Sequence, residues 1–282
     1  IKKDVAASIF LKIEPFAEYG FNKSHAAAYG IISYQTAYLK TYFPNEFFAA
    51  SMTMDISNQN KLSEFYEELK RLNIKIYKPC INKCFAGFVP KDNSLFYALG
   101  AIKNVGFEAI SHVVSEREKN GEYKSISDFI NRVDPKNINK LQLEGLVKAG
   151  AFDLIFKDRK VLYDNIPNII QNSKTIYENK INNQSSLFTD DSSKISYLMN
   201  DKKLKTWSNN EILSKEFESV GFFISDHPLN QFTEIFDDYK INEYSKFTLD
   251  NEIKNSNIAA TLLKLQERKT AKGNSYAVLK LT

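Results

Sequence analysis

Apolar positions in the first third of the chain recur at helical spacing. Ser24 stands where it can cap a helix that carries Ala26, Tyr29, Ile32, Thr36 and Leu39 and stops before Pro44. Pro44 suits the first turn of the next helical segment, 45–50, where its missing N–H would have had no partner. Leu62, Phe65, Leu69 and Leu72 mark one face of a third helix, with Lys61, Glu64, Glu67, Glu68 and Lys70 on its wet side. After Asn73 the period changes. Residues 74–77 and 94–99 read as short strands, and short helices follow with Gly100, Gly106, Gly121, Gly145 and Gly150 at their joints. A polar, weakly patterned stretch, 177–194, precedes an amphipathic helix bearing Ile212, Leu213, Phe217 and Val220. The end alternates: 258–265 and 276–281 are predicted strands, joined by a basic turn at 270–274 that contains Gly273. Two strands alone leave open edges, so they predict the start of a larger β domain that is cut short.

The predicted fold class is therefore mainly α with short β segments, in a multi-domain chain with no internal repeat. Four stretches divide it: 1–73, 74–156, 157–250 and 251–282. The composition, 43% hydrophobic and 26% charged over 282 residues, is that of an ordinary globular protein. No apolar run approaches the roughly 20 residues that span a membrane, and no signal peptide opens the chain. The start at Ile1, without Met, reads as the start of an excised piece. Thirty-eight Lys and Arg against 34 Asp and Glu give +4, which permits nucleic-acid binding without arguing for it. Cys80 and Cys84, four apart and without further ligands nearby, read as reduced thiols of a cytoplasmic protein rather than a disulfide or a metal site.

Catalytic signatures are missing. With His25, His112 and His227 alone, no Ser-His-Asp arrangement suggests itself, and there is no Walker loop or HExxH. Asp190 and Asp191 lie in the polar stretch, the wrong setting for a rigid two-metal site. Four other segments carry candidate chemistry. Asn22, Lys23, Ser24 and His25 follow a Gly and precede a helix start, a place suited to a phosphate or simply to a capped, solvated turn. Residues 99–110 have the form of a helix-hairpin-helix unit, with Lys103 and Asn104 in the turn, Val105 inward and Gly106 at positive φ; Asn104 stands where Gly is more usual, and Asn tolerates the left-handed conformation best after Gly. Such a unit aims backbone amides at a DNA phosphate; the alternative is a corner with no ligand. Residues 139–153, with Lys140, Lys148 and a turn at Gly150, offer a second unit. Gln184, Leu187 and Phe188 set two large apolar residues in a polar segment, either to dock in a partner's pocket or to fold back.

Together these pieces resemble a family. The stretch FAEYGFNKSHAAAYGIISYQTAYLKTYFPNEFFAASM (16–52) closely resembles the fingers region of the bacterial DNA polymerase III alpha subunit, the replicative polymerase. YALGAIKNVGFEAI (97–110), LVKAGAFD (146–153), QSSLF (184–188) and GFFISDHPL (221–229) follow in the family's order. The resemblance covers nearly the whole chain. One departure is Cys80 in Pro79-Cys80-Ile81-Asn82, where the family usually has an acidic residue.

The resemblance implies a fragment running from fingers, through tandem helix-hairpin-helix elements and a connector, to the start of an OB-fold. It places Asn22, Lys23, Ser24 and His25 near an incoming dNTP, and Lys103, Asn104, Val105 and Gly106, with Lys140 and Lys148, on primed template DNA. It makes Gln184, Leu187 and Phe188 the sliding-clamp motif, with other replicase subunits as further partners. Lys264, Arg268, Lys269, Lys272 and Tyr276 would face single-stranded template. Mg2+ would serve the parent enzyme through palm carboxylates that lie outside the chain, so the fragment alone would be inactive. A non-catalytic DNA-binding adaptor of repair or replication is the rival, and a helical module with no ligand a third reading. The adaptor has no use for the segment at 16–52.

Overall fold

A computed structural model describes residues 2–17, 23–181, 206–242, 247 and 255–282. Helix α1 (Lys3–Ala17) is followed by α2 (Lys23–Tyr42), α3 (Pro44–Met54) and α4 (Gln59–Arg71). Helix α2 starts at Lys23, so Ser24 lies in its first turn and not at the cap. Pro44 opens α3, where its fixed φ is already helical. Asn58 caps α4 by accepting the Lys61 N–H at 3.3 Å. The inward stripe of α4 is Leu62, Tyr66 and Leu69, all buried, whereas Leu72 falls beyond the last turn and is exposed. Asn73, left-handed at φ 56, ends the helix and lets the Ile74 N–H reach back to Leu69 O at 2.9 Å.

Three short strands come next: β1 (Lys75–Tyr77), β2 (Val89–Lys91) and β3 (Ser94–Phe96), in the order β1-β3-β2. Strand β3 pairs parallel with β1 and antiparallel with β2. The pattern of apolar residues did not predict β2, because Pro90 interrupts it. As an edge strand it tolerates a missing donor. Asp92 and Asn93, both at positive φ (51 and 57), make the two-residue turn that joins β2 to β3. The turn at 80–84 is stitched to the helices that follow. Asn82 exchanges hydrogen bonds of 2.8 and 2.9 Å with the Tyr123 backbone, and buried Arg117 donates to Ile81 O (2.9 Å) and Cys84 O (2.6 Å). Both cysteines are free, and burial pushes the Cys84 thiol up to about 12.

The helices after the sheet are α5 (Phe107–Asn120), α6 (Ile126–Arg132), α7 (Lys140–Lys148), α8 (Arg159–Asp164) and α9 (Ile166–Ile181). Helix α10 (Asn209–Val220) follows, then a 3-10 turn at Pro228–Phe232 and α11 (Thr233–Asp238). One buried core takes Phe48 and Met52 from α3, Leu62 and Leu69 from α4, Leu95 from β3, and Ile110 from α5. It continues through Leu146 of α7 to Val220 and Phe222. Residues on both sides of positions 73 and 157 therefore share it. At the end of the chain, β4 (Leu262–Lys269) and β5 (Ser275–Leu281) form an antiparallel hairpin with Leu265 opposite Leu279. Residues 258–261 enter it outside the strand. The architecture is mainly α with short β segments.

The least expected side chain in the core is Glu216, wholly buried on α10. Its carboxylate accepts from the Ile224 N–H (3.0 Å), the Ser225 N–H (2.8 Å) and the Ser225 hydroxyl (2.5 Å). Arg159 lies 3.7 Å away and forks onto Asp153 at 2.9 and 2.6 Å. A buried carboxylate survives only when its oxygens are so occupied. The apolar pattern of α10 had marked its other positions but not this one.

Candidate nucleic-acid interface

The hairpin is built where β3 ends. A single 3-10 turn, Leu99–Ala101, stands in place of its first helix. Its amides reach the preceding loop, Leu99 N–H to Phe85 O at 2.8 Å and Gly100 N–H to Ala86 O at 3.0 Å. Ile102 and Val105 are buried, and Lys103, Asn104 and Gly106 are exposed. The Val105 N–H closes the turn on Ile102 O at 2.9 Å. The left-handed residue is Asn104, at φ 67, and not Gly106 as expected. Gly106 is extended, φ −69 and ψ 139, and serves as the N-cap of α5. The reversal has a plain cause: Asn tolerates the left-handed region, and the turn reverses one residue before Val105 goes inward. No side chain caps α5, so its first-turn amides have no capping partner; residues 106–108 are exposed and a helix dipole stands behind them. That is the local chemistry of an anion site.

Three elements brace the turn from behind. Lys103 N–H donates to Ser219 O at the end of α10, 2.9 Å. Gln59 Nε2, at the start of α4, donates to Ala101 O at 3.0 Å. Helix α7 lies against the turn at Gly145, where a β-carbon would stand 2.7 Å from Lys103 O. The first turn of α7 is closed by a capping box between Asn139 and Gln142, with bonds of 2.7 and 3.0 Å. The free amide nitrogen of Gln142 then points toward Gly106, 3.7 Å from where a β-carbon would be. Asn139 and Gln142 show box spacing in the sequence. Gln59 and Ser219 gave no such signal, because their role is contact across 40 or more residues.

The structure brings Lys103, Asn104, Val105, Gly106 and the first turn of α7 together. Lys140, exposed at the start of α7, lies 3.8 Å from Glu144. Lys148 lies at the other end of that helix, roughly 12 Å along the axis at about 1.5 Å per residue. Its amine is bound to Glu218 at 2.7 Å and sits 5.5 Å over the Tyr163 ring, leaving the side chain 13% exposed. Gly150, at φ 76, ends the second unit against Arg159. Lys23 and Ser24 open α2, and His25 is exposed, stacked with Tyr29 at 6.3 Å. Asn22, Gln184, Leu187 and Phe188 lie outside the described residues. On the β4–β5 hairpin, Arg268 is opposite Tyr276 and both are exposed. His227 caps the 3-10 turn by accepting the Leu229 N–H at 3.2 Å. Among the described residues no three His, Cys, Asp or Glu side chains converge to hold a metal. No helix among those residues is long and apolar enough to cross a membrane.

Residues 73–162 match the model of a helix-hairpin-helix motif. Over 84% of the chain the sequence is 43% identical to DNA polymerase III subunit alpha of Borreliella burgdorferi, of which it covers 21%. It is 40% identical to the same subunit of Caulobacter vibrioides (81% of the chain, 20% of the relative) and 37% identical to that of Rickettsia bellii (97% and 25%). The chain belongs with the DNA polymerase III alpha family. It spans about a fifth to a quarter of the length of these relatives. The match at 73–162 contains the uncapped start of α5 and all of α7, so the family and the geometry meet in one place.

The Lys148–Glu218 pair has a consequence that can be measured. The Lys148 hydrogen bond, helped by Lys215 and opposed by burial, holds the Glu218 carboxyl below its ordinary 4.5. A lowered folded-state pKa contributes stability above the unfolded value and loses it as pH falls through the folded one. Thermal midpoints of the chain and of Lys148→Met should therefore differ at neutral pH and converge as pH drops below 4.5. Curves that stay parallel through that range would show that the pair does not set Glu218.

Proposed function

We propose that this chain is part of the catalytic subunit of a replicative DNA polymerase, and that within it the segment 99–148 grips duplex DNA by its phosphate backbone. The observation that carries the reading is the uncapped, exposed start of α5 behind an exposed Lys103-Asn104 turn. Amides at a helix start hold a phosphate without reading base sequence, which suits an enzyme that must move along any template. Gln142 adds a neutral donor beside Gly106. Lys103 and Lys140 supply exposed charge, while Lys148 is bound to Glu218 in the free chain.

In the same reading Asn22, Lys23, Ser24 and His25 sit on the side of the incoming dNTP. Gln184, Leu187 and Phe188 tether the polymerase to its sliding clamp, where a bound clamp raises the effective concentration of primer for an enzyme that has let go. The β4–β5 hairpin opens an OB-fold for single-stranded template. The carboxylates that hold Mg2+ for nucleotidyl transfer are assigned to the rest of the parent protein, so the 282 residues alone do not extend a primer.

Duplex binding is tested by titrating a blunt DNA of arbitrary sequence at several salt concentrations. Lys103→Ala should weaken binding by about 1.5 kcal/mol, roughly tenfold, and lower the salt slope by about 1, whatever the sequence. An unchanged slope would remove Lys103 from the interface. For the tether, calorimetric titration with a bacterial sliding clamp should show binding that a Leu187→Ala/Phe188→Ala double variant loses. Equal binding by both would show that Leu187 and Phe188 are not the tether, and no binding by the folded native chain would assign them to internal packing.

A further inference from the structure

We propose that Gln59 is a positioning residue for the hairpin's DNA contact, and that it holds the turn in place without stabilising the fold as a whole. The inference rests on the hairpin reading and adds to it the residue that sets the turn's posture. Gln59 is the first residue of α4, more than 40 positions away from the turn in sequence. Its Nε2 donates to Ala101 O at 3.0 Å, the carbonyl just before the hairpin bends. On its other side stands Gly221, at φ 92, where a β-carbon would lie 2.0 Å from Gln59 Oε1 and 3.0 Å from Cδ. The side chain is thus wedged between the hairpin and the end of α10. That same end accepts the Lys103 N–H through Ser219 O, so two bonds flank Ile102 and orient the peptides leading to Asn104.

Two observations indicate positioning rather than stabilisation. The Gln59 Oε1 is buried and has no hydrogen-bond partner. A buried, unpaired acceptor costs free energy, which offsets what the Nε2 bond contributes. Replacing the amide by an apolar group removes the unpaired oxygen together with the Nε2 donor, so the cost of leaving Ala101 O without its partner is partly offset. The second is space. An open cleft of about 770 Å3 runs beside the turn, bordered by Gln59, Lys103, Asn104, Phe217 and Gly221. On that side no close packing holds the hairpin, so the Gln59 bond resists its movement into the cleft.

The test is Gln59→Met in the 282-residue chain, a change that keeps length and removes both donor and acceptor. The melting temperature should shift by less than about 4 °C. Duplex affinity should fall roughly threefold to tenfold, and the Lys103 amide should exchange its proton faster. Unchanged affinity and unchanged Lys103 exchange in the folded variant would overturn the proposal. So would a larger loss of melting temperature, since Gln59 would then be an ordinary structural residue. Absence of duplex binding by the parent chain would overturn the hairpin reading itself, and this inference with it.

Discussion

Position 145 has no β-carbon, and the place of the hairpin depends on that. Helix α7 crosses the turn so closely that a methyl group there would stand 2.7 Å from Lys103 O and 3.3 Å from Ile102 Cγ2 and Val105 Cγ2. Backbone against backbone, the contact leaves no room for side-chain rearrangement to absorb a change. It fixes Val105 inward and Lys103 outward, and it brings the first turn of α7 beside Gly106. The anion-binding chemistry of α5 is common to many helix starts. What distinguishes this one is that the turn in front of it is held from behind by α7, by Ser219 and by Gln59.

Those braces depend in turn on where α10 ends. Glu216 sets that end by gathering the Ile224 and Ser225 amides and the Ser225 hydroxyl, while Arg159 and Asp153 tie the same point to the close of α7. A network of charged groups in low dielectric tolerates little displacement, because any unpaired member costs far more than in water. The segment that continues from α10, Gly221-Phe222-Phe223-Ile224-Ser225, is thereby tied to the braces of the hairpin. Tyr66 and Tyr97 pack on Phe222, at 4.5 and 6.2 Å between rings, and carry the connection into α4 and the sheet.

The sequence disclosed what local physics writes. Helices α2 to α4, the α10 stripe and the β4–β5 pair were legible from apolar spacing, and the hairpin from Gly100, Val105 and Gly106. Strand β2 was not, because Pro90 spoils the pattern while the Asp92-Asn93 turn that creates the pairing acts through φ rather than polarity. Positive φ was expected at Gly106, with Asn104 read as tolerant of it; the turn gives that conformation to Asn104 and leaves Gly106 extended. Lys148 was read from the second hairpin unit as a DNA contact, and only the fold adds Glu218 across from it, 70 positions away. Gly145 was expected at a helix joint, whereas it lies inside α7 and lets that helix approach the turn. Gln59, Ser219 and Glu216 matter through partners distant in sequence, so no window of neighbours could have marked them.

The most direct measurement is the map of backbone amide shifts when the chain is titrated with a short duplex of arbitrary sequence. The account predicts that the largest changes fall on Gly106 and the first-turn amides of α5, with Lys103 and Asn104 beside them and smaller changes at the start of α7. Changes confined to α2 or to the β4–β5 hairpin, with residues 103–109 silent, would contradict it.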